Sequence, residues 1–510
     1  MKIAIVGAGF AGLSSAKVLT ELGHDVVVYE KAPDVGGVWS ATRRYPGLKT
    51  QNDKGTYSLS DLAMPADYPE WPAGEQVQAY LESYAQKFGL RPLLRLGTEV
   101  THAAPVPGGG WNVTTAAGTE HVDHLVMASG IFSRPFIPTI PGADLFEKLG
   151  GQIIPGSDWH DREQVRGKNV IVLGYGKSAC DVTVEISKVA ASTTVVAREL
   201  LWKMPRKIKG IVNYKYLMLT RLGEGLFRYR VISGPEKVLH ARNSMMANQM
   251  LGSVEKVTTG QLGLKKIGLL PHGRFADIAR STVSLVSEGF FEGVADGSIT
   301  VKRESIIRRF VERDGRAYAE LGSGEQIPVD VVVAATGWTQ DIPCLPADVV
   351  DQLTDDNGDF LLYRQIHPVN VPDLSFAGYN SSFFSPLSAE VSAIWIGSLL
   401  GGNHTLPSRE VMLARVTERL AWMRERTRGK HARGTNVIPF SVHNIDEVLS
   451  DVGINVGALT RAKQWLLPIC PQDYRGITPA LAQRLRARGT LCHGAPARDT
   501  AAEPRQAVRA

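Results

Sequence analysis

The stretch Lys2–Trp39, KIAIVGAGFAGLSSAKVLTELGHDVVVYEKAPDVGGVW, carries the clearest structural pattern in this chain. Its first apolar run, Ile3–Val6, leads into a glycine-rich turn, and its second, Val26–Tyr29, follows a helical pattern of small residues. A strand, a tight turn, a helix and a strand in this order form a unit that binds the pyrophosphate of a dinucleotide. The helix N-terminus offers the phosphate unpaired N–H groups and the positive end of its dipole.

The glycine turn has the spacing GxGxxG, with its glycines at Gly7, Gly9 and Gly12. The first glycine permits the tight turn, the second lets a pyrophosphate approach the backbone, and the third lets helix and strand pack closely. Glu30 closes the second strand, at the place in such a unit where a carboxylate can accept hydrogen bonds from ribose hydroxyls. The spacing alone is a weak signal, but the flanking strand, helix and acid make a dinucleotide site the favoured interpretation over a turn without a ligand.

Composition and charge restrict the class of protein. A chain of 510 residues is long enough for two to four domains, and 44% hydrophobic and 21% charged residues are ordinary for a soluble globular protein. The net charge of +6 is small and no dense basic stripe with aromatics is present, which argues against nucleic-acid binding. No run of 18 or more apolar residues occurs, so no membrane span is expected, and the N-terminal apolar run reads as a strand rather than a signal peptide.

The cysteines indicate the compartment. They are far apart and form no CxxC, at Cys180, Cys344, Cys470 and Cys492. Neither a disulfide framework nor a zinc or other metal site is indicated, and a reducing, cytoplasmic location fits best.

After Trp39 the chain predicts a long ordered loop, rich in Pro, Gly, Asp and Tyr, and loops of this length are usually functional. A helix follows at Glu75–Phe88. Strands are then predicted at Leu96–Ala104, Trp111–Thr115 and Glu120–Met127.

The opening pattern repeats at residue 169. A strand at Val170–Leu173 leads into Gly174-Tyr175-Gly176-Lys177-Ser178-Ala179, a helix, and a strand at Thr194–Ala197. This internal duplication predicts two nucleotide-binding domains in one polypeptide. Residues 208–290 read as largely helical, strand-like segments return at 299–333, and a helix follows from about Leu387 to Leu400. The composition of 494–510 predicts a disordered tail.

The second unit ends in a cation where the first ends in an acid. Arg198 follows the last strand of the second unit, and a guanidinium can bind a 2′-phosphate that a carboxylate would repel. Three further cations come soon after it, Lys203, Arg206 and Lys207. The second site is therefore predicted to prefer NADPH, and the first to hold the ADP half of FAD. The alternative is that Arg198 is a solvated strand-end charge, and Glu199 could pair with it.

Two such sites in one chain predict hydride transfer from NADPH to FAD. Flavin-dependent reductases and monooxygenases both use this arrangement. Disulfide reductases also need a redox-active cysteine pair, which this chain lacks.

At this point the chain resembles the flavin-containing monooxygenases, the class B group with FAD and NADPH in one polypeptide, over roughly residues 1–475. The matching motifs are the family's GGxW beside the flavin at Gly36–Trp39, its active-site loop at Tyr45–Leu48 and Thr50–Lys54, its first linker at Ala128–Gly130 with Pro135, Ile137, Pro138 and Pro141-Gly142, its second linker at Ala335–Trp338 with Asp341–Pro343, and its late flavin-contacting segments at Phe376–Tyr379 and Pro386–Glu390. Together these motifs are far more specific than either glycine turn.

The resemblance implies an α/β fold with two Rossmann-like dinucleotide-binding domains. The NADPH domain is inserted into the FAD domain and carries a helical subregion. We predict the first part of the FAD domain at 1–165, the NADPH domain at 166–325 with a helical insertion at about 208–290, and the second part of the FAD domain at 326–475.

One position departs from the family. Its fingerprint FxGxxxHxxx(Y/F/W) matches here at Leu149, Gly151, Pro155 and Trp159, so the histidine position is proline. Proline has no ring nitrogen for hydrogen bonding and removes a backbone N–H. This affects the expected coupling of reduction to oxygenation more than the fold, and it disfavours the Baeyer–Villiger subclass, whose version needs the histidine.

The resemblance also implies a mechanism. NADPH reduces the flavin, O2 adds at C4a, and bound NADP⁺ shields the hydroperoxyflavin from water. The family's active-site amide carries over to Gln51, with Asn52 as the alternative. Either could hydrogen-bond the hydroperoxide or the nicotinamide ribose, or both could only fix the loop.

The cofactor contacts carried over from the motifs are Gly7, Gly9, Phe10, Ala11, Gly12, Glu30, Gly37, Val38, Trp39, Thr50, Val100, Ser129, Gly130, Gly174, Gly176, Lys177, Ser178, Ala179, Arg198, Thr336, Gly337 and Leu387. The leading hypothesis is a monooxygenase that uses FAD, NADPH and O2 on the nitrogen or sulfur of a small molecule. The alternatives are Baeyer–Villiger oxidation of a carbonyl compound and a non-oxygenating NADPH oxidase or redox sensor. A homodimer is one arrangement that the segment Val212–Phe227 of the helical region allows. Core packing, a cover over the active site and a membrane-surface contact are the others.

Overall fold

The protein is described here by a computed structural model, which describes residues 1–280 and 284–490. The predicted tail at 494–510 and Cys492 lie outside the described residues. The strands are β1 (Lys2–Val6), β2 (Asp25–Tyr29), β3 (Leu94–Arg95), β4 (His102–Pro105), β5 (Trp111–Thr115), β6 (Gly118–Val122), β7 (His124–Met127), β8 (Arg134–Pro135), β9 (Gln152–Pro155), β10 (Asn169–Leu173), β11 (Ser192–Ala197), β12 (Lys203–Met204), β13 (Lys207–Ile208), β14 (Val212–Asn213), β15 (Ser284–Leu285), β16 (Thr300–Arg303), β17 (Ile307–Arg313), β18 (Arg316–Leu321), β19 (Gln326–Pro328), β20 (Val331–Ala334), β21 (Trp338–Thr339), β22 (Leu362–Tyr363), β23 (His367–Pro368) and β24 (Leu374–Phe376). The helices are α1 (Phe10–Glu21), α2 (Gly74–Lys87), α3 (Ala143–Lys148), α4 (Lys177–Ser187), α5 (Lys215–Met218), α6 (Arg221–Gly225), α7 (Glu236–Leu239), α8 (Ala241–Gln261), α9 (Phe290–Asp296), α10 (Ala347–Leu353), α11 (Ser385–Leu400), α12 (Arg409–Thr427), α13 (Ser441–Val452), α14 (Ala458–Lys463) and α15 (Ile477–Ala487).

Two parallel five-stranded sheets organise the chain. The first has the order β24-β7-β1-β2-β3 and the second the order β16-β11-β10-β20-β9. In each, the strand before a glycine turn lies at the centre, between the strand that follows the turn's helix and a strand that leads into a linker. Each half also carries a three-stranded antiparallel sheet, β4-β5-β6 in the first and β17-β18-β19 in the second. The duplication and the doubly wound α/β fold predicted from the sequence are confirmed.

Helix α11 fills the centre of the FAD half. It is buried from Pro386 to Ser398, because its sequence SPLSAEVSAIWIGSLL is apolar or small at every position except Glu390. It packs against α1 and α13. A Cβ at Gly397 would lie 2.3 Å from Leu22 Cδ1, so this glycine allows the close approach of α1. Among the described residues no helix is long and apolar enough to cross a membrane.

Several predicted elements agree with the structure. Helix α2 matches the prediction at Glu75–Phe88 to within one position at each end, and β5 matches Trp111–Thr115. The long loop predicted after Trp39 contains neither a helix nor a strand of the described fold before α2 begins.

Two strand predictions were wrong in extent. The run Leu96–Ala104 is a loop that ends in the short strand β4, because the chain turns away from the parallel sheet after β3 at Gly97, where φ is 64°. The run Glu120–Met127 is divided at Asp123, so that β6 joins the antiparallel sheet and β7 the parallel one. An alternating apolar pattern does not reveal which sheet a strand joins.

The sheet pairings bear on the domain limits. Strands β9 and β20 belong to the second sheet, although they lie outside the predicted NADPH range 166–325. The two linkers meet as the antiparallel pair β8–β21, with Trp338 opposite Pro135. On these pairings we propose that the NADPH domain spans about 152–334, and the division into domains remains a prediction.

Candidate cofactor and active site

The first glycine turn is shaped by contacts that leave no room for side chains. Gly7 has a φ of 110°, and a Cβ there would lie 2.5 Å from the carbonyl oxygen of Ala128. A Cβ at Gly12 would lie 1.8 Å from the carbonyl oxygen of Gly7. A Cβ at Gly9, in contrast, would meet Gly37 Cα at 3.5 Å, an ordinary contact. Gly7 and Gly12 therefore serve packing, whereas a Cβ at Gly9 would touch the backbone of Gly36 and Gly37 only at ordinary distances.

Helix α1 starts from this turn with Gly9 as its N-cap and no side chain capping it. The first N–H groups of the helix, from Phe10 and Ala11, are thus available to a phosphate. Glu30 reaches the same place, since its carboxylate accepts hydrogen bonds from the N–H of Ala8 at 2.7 Å and of Ala32 at 2.9 Å. The turn and its carboxylate fit the ADP half of a dinucleotide.

The GGxW segment packs directly against the turn. The N–H of Gly36 donates to the carbonyl of Ala8 at 3.0 Å, and Gly37 has a φ of 60°. The ring of Trp39 is buried and packs edge-on against Tyr57. Val38 is partly buried against the same core. Gly36 and Gly37 thus lie directly against the first turn, whereas Val38 and Trp39 pack into the core.

The other predicted contacts come from four places in the FAD half. Ser129 Oγ lies 3.3 Å from the hydroxyl of Tyr379, and Cβ atoms at Gly130 and Gly337 would meet nothing within 4 Å. Thr336 Oγ1 donates to the carbonyl of Phe136. Leu387 is buried near the start of α11, and Val100 is buried in the loop between β3 and β4.

The active-site loop presents two amides in different states. The amide of Asn52 is buried and bonded on both sides: Nδ2 donates to the Phe383 carbonyl at 2.6 Å, and Oδ1 accepts from the Tyr214 hydroxyl at 3.0 Å. Gln51 Oε1 accepts from the N–H of Leu285 at 3.2 Å, while its Nε2 has no partner in the described part of the chain. Asn52 therefore fixes the loop, and Gln51 keeps a free donor.

Thr50 adds an unsatisfied group beside these amides. Its side chain is 0% exposed and its Oγ1 has no hydrogen-bond partner among the described residues. Buried hydroxyls normally have a partner. A ligand atom at this point of the loop would supply one.

Two residues of the helical region were missed by the sequence analysis. Tyr214 holds Asn52, and Lys215 Nζ lies 3.0 Å from Asp53 Oδ1. Residues 212–227 were expected to pack in the core, to cover the active site, or to meet a partner or a membrane. The contacts place the start of this segment on the active-site loop. No motif in the sequence signals these two residues, because their partners belong to a distant part of the chain.

A buried carboxylate holds the long loop after Trp39, which contains the active-site loop, to the core. Glu390 on α11 accepts hydrogen bonds from the N–H of Ser60 at 2.8 Å and from Ser60 Oγ at 2.7 Å. Burial raises the pKa of Glu390 to about 7. The PLSAE segment thus contributes to holding this loop.

The second glycine turn repeats the geometry of the first. Gly174 has a φ of 117°, and its Cβ would lie 2.5 Å from the carbonyl oxygen of Ala335. Gly176 is the uncapped N-cap of α4, and a Cβ there would meet nothing within 4 Å. The open space and the free N–H groups of residues 177–179 fit a second dinucleotide.

The side chain of Lys177 turns away from this N-terminus. It forms an ion pair with Asp181 and a hydrogen bond to Ser287 Oγ at 3.3 Å. Burial lowers the pKa of Lys177 despite the neighbouring carboxylate. Any contact of Lys177 with a phosphate would therefore come from its backbone N–H, and those of Ser178 and Ala179 follow it. Asp181 also accepts from the Tyr45 hydroxyl at 3.1 Å, which joins the active-site loop to the second turn.

Arg198 stands at the end of β11 and is exposed. It has no hydrogen bond or ion pair within residues 1–280 and 284–490. Glu199 pairs with Lys430 and not with Arg198. The cations that follow are engaged elsewhere, since Arg206 Nη1 lies 2.9 Å from Glu288 and Lys207 Nζ 3.3 Å from Glu70. Lys203, which sequence reasoning grouped with them, is buried. Arg198 is thus the free cation at the expected place for a 2′-phosphate.

The Arg198→Ala variant is expected to weaken NADPH binding selectively. Loss of one charge-assisted contact corresponds to a rise of about 10- to 100-fold in KM for NADPH. KM for NADH, which lacks the 2′-phosphate, is expected to change little. Steady-state kinetics with both cofactors measure this, with Glu199→Gln as the charge-altering control. Equal rises for both cofactors would contradict a 2′-phosphate role.

The helical region is fastened to the second part of the FAD half through His443. Its Nδ1 lies 2.5 Å from Glu224 Oε1 on α6, and its Nε2 lies 2.8 Å from Glu236 Oε1 on α7. Burial lowers the pKa of His443, but the hydrogen bonds and charges of the two glutamates outweigh it and raise the pKa to about 10. His443 on α13 is therefore a partly buried imidazolium held by two buried carboxylates.

Comparison with known proteins agrees with this geometry. The family model described as flavin-binding monooxygenase-like matches residues 1–460. A probable flavin-containing monooxygenase 1 of Arabidopsis thaliana is 26% identical over 524 residues, which cover 93% of this chain and 96% of the relative. Flavin-containing monooxygenase 5 of Homo sapiens is 28% identical over 442 residues, which cover 82% of this chain and 76% of the relative.

Solved structures share the fold at lower identity. An S-allyl-L-cysteine S-oxygenase from Allium sativum superposes with a TM-score of 0.61 at 17% identity, covering 96% of this chain and 98% of that one. A cyclohexanone monooxygenase from Rhodococcus sp. Phi1 bound to NADP⁺ gives 0.64 at 20% identity, covering 89% and 97%. With two dinucleotide turns, a GGxW segment and a family match over most of its length, the chain belongs to the flavin-containing monooxygenase family and is an FAD- and NADPH-dependent monooxygenase.

Proposed function

We propose that this enzyme transfers one oxygen atom from O2 to the nitrogen or sulfur of a small molecule. Flavin monooxygenases can deliver oxygen as an electrophile to a soft heteroatom or as an anionic nucleophile to a carbonyl carbon. FAD, when bound and reduced by NADPH, supplies the activated oxygen. Which form reacts depends on whether the surrounding residues stabilise a negative charge.

The proposal rests on one observation, the bonding of the cationic side chains that belong to the active-site loop or contact it. Each of them is already bonded within the protein. The ion pairs are Arg206 with Glu288, Lys215 with Asp53, and Lys177 with Asp181, and Lys54 donates to backbone carbonyls. An anionic oxygen species would find Arg206, Lys215 and Lys177 already paired with carboxylates, and the ammonium of Lys54 held by backbone carbonyls.

Neutral donors occupy the same place. Gln51 has its carbonyl oxygen fixed by Leu285, which leaves its NH₂ group to donate to the oxygen being transferred or to the nicotinamide ribose. Asn52 and Tyr214 hold the loop in position. A neutral amide can hydrogen-bond this oxygen, but it brings no positive charge to balance a full negative charge, as a free guanidinium or ammonium group would. Pro155 in place of a histidine supports the same conclusion.

A cluster of aromatic side chains beside the first turn contributes to the exclusion of water. The rings of Trp39 and Phe10 both pack edge-on against Tyr57, at 5.8 and 5.4 Å between centroids. This cluster closes the apolar side of the first turn. A dry site limits the unproductive loss of activated oxygen as peroxide.

We test the proposal with one sulfide, one tertiary amine and one cyclic ketone, under isotopically labelled O2 and with catalase present. The expected result is a labelled sulfoxide or N-oxide in proportion to the NADPH consumed, with no labelled lactone. An enantiomeric excess of the sulfoxide would tie its formation to the protein site. A labelled lactone would establish Baeyer–Villiger oxidation instead, and peroxide as the sole product with all three would establish an oxidase.

Location and assembly complete the proposal. We infer a cytoplasmic enzyme, supported by the free cysteines Cys180, Cys344 and Cys470. We also retain a homodimer as one arrangement. Exposed apolar side chains of the helical region, such as Ile211 at 82% exposure, support it.

A further inference from the structure

Lys203 is the most deeply buried cation near the second glycine turn. It lies on β12 with 1% of its surface exposed. Its Nζ donates to the carbonyl of Tyr175 at 2.9 Å and to Ser284 Oγ at 3.2 Å. The same atom lies 4.7 Å from the centroid of the Tyr175 ring. Within the described ranges it forms no ion pair.

A buried ammonium without a carboxylate partner is costly, because neutral hydrogen-bond acceptors and a ring replace only part of its hydration. Other buried cations nearby have such a partner, as Lys177 has in Asp181 and Arg206 in Glu288. Lys203 therefore lacks a counter-charge that its neighbours possess. An anion that arrives with a ligand can supply one.

The position of Lys203 indicates which anion this is. Its acceptor, the Tyr175 carbonyl, belongs to the residue between Gly174 and Gly176, so the ammonium lies directly behind the turn. The other side of this turn is the open N-terminus of α4. A dinucleotide pyrophosphate binds at such a turn. The charge of Lys203 and the pyrophosphate would then face each other across one peptide unit.

We propose that Lys203 is a positioning residue for NADPH, which holds the second glycine turn from behind and acts as an internal counter-charge to the pyrophosphate. The proposal rests on the assignment of NADPH to the second site. The same residue ties that turn to the active-site loop. In the parallel pair β12–β15, Lys203 is opposite Ser284, and the N–H of the next residue, Leu285, holds Gln51.

The test compares Lys203→Met, Lys203→Gln and Lys209→Met in the FAD-loaded protein. Titration calorimetry measures the Kd of NADP⁺ and of NAD⁺ at several salt concentrations. Lys203→Met is expected to raise the Kd of NADP⁺ and of NAD⁺ by about tenfold, because both ligands carry the pyrophosphate. It is also expected to make both Kd values less dependent on salt concentration. Arg198→Ala is expected to weaken NADP⁺ alone. Lys209→Met removes the same charge from an exposed site and is expected to change neither.

Thermal unfolding without nucleotide separates this role from a merely structural one. Methionine is similar in length to lysine and removes an uncompensated charge, so Tm of Lys203→Met is expected to be unchanged or higher. A lower Tm with unchanged Kd values would overturn the proposal. Recovery of wild-type Kd by Lys203→Gln would also overturn it, since the hydrogen bond and not the charge would then matter. If the wild type bound no NADP⁺, the cofactor assignment itself would fail.

Discussion

Gly9→Trp is expected to abolish FAD binding, so that the purified protein is colourless. Gly9 is the N-cap of α1, and its missing side chain leaves the approach to the first N–H groups of the helix open. An indole at this position would occupy the space that the pyrophosphate needs. The ratio of visible flavin absorbance to protein absorbance measures the result directly, and is expected to fall from near one FAD per chain to near zero.

Gly9→Ala is the control for folding. A Cβ at Gly9 would lie 3.5 Å from Gly37 Cα, so alanine fits without displacing the backbone. Substitution of Gly12 would not serve, because its Cβ would lie 1.8 Å from the Gly7 carbonyl oxygen and would disrupt the fold. Circular dichroism establishes that Gly9→Trp remains folded. A folded Gly9→Trp protein that is still yellow would refute the assignment of FAD to the first turn.

His443→Leu is expected to destabilise the protein by about 3–5 kcal/mol, as removal of one partner of a buried ion pair does. Glu224 and Glu236 are 2% and 6% exposed, and the variant leaves both carboxylates buried without their cation. Chemical denaturation at neutral pH measures the loss in free energy of unfolding. An effect below about 1 kcal/mol, the range of a surface ion pair, would mean that the contacts of His443 contribute little.

The contribution of His443 to the free energy of unfolding is expected to fall as the pH rises. The pKa of His443 is raised from 6.5 to about 10 in the folded protein, so the folded state holds a proton that the unfolded state releases. The stability it contributes is complete below pH 6.5 and is lost as the pH rises through about 10. The difference in free energy of unfolding between the wild type and His443→Leu is therefore expected to become smaller between pH 6.5 and about 10.

His367→Leu is the matched control, because burial lowers the pKa of His367 to about 4 and the ring is neutral over the same range. The difference in free energy of unfolding between the wild type and His367→Leu is expected to stay constant above pH 6.5. A constant difference for His443→Leu as well would contradict a charged His443.

The stretch Lys2–Trp39 was sufficient to predict the first nucleotide site. Gly7, Gly9, Gly12 and Glu30 act on one another within a single strand–helix–strand unit, so their spacing in sequence carries their spacing in the fold. The same reasoning located Gly174 and Arg198. The roles of all the predicted site residues, within the two turns and beyond them, remain predictions.

Other features depend on contacts that no local pattern records. Lys203 reads as a surface cation among others until β15 packs beside it. Tyr214 and His443 acquire their roles from partners in distant parts of the sequence. Hydrophobic patterning also does not reveal that β6 and β7 join different sheets, because the partners of each strand lie elsewhere in the chain.

Pro155 is explained by its place in the second sheet. It ends β9, which lies at the edge of the sheet, where a missing N–H leaves no central hydrogen bond unmade. The substitution of the family's histidine is thus compatible with the fold. Its effect is confined to the chemistry that an imidazole would perform at this position.

The position of β24 has a consequence for the order in which the protein is made. The glycine turn, Glu30 and the GGxW segment have all been synthesised by the time the ribosome has passed Trp39. The first sheet, however, is complete only when β24 pairs with β7, and β24 ends at Phe376. The second sheet closes earlier, with β20 at Val331–Ala334. On the ribosome, the half that begins the chain therefore completes its sheet after the half inserted into it, and a chain that stops before Leu374 leaves β7 as an open apolar edge.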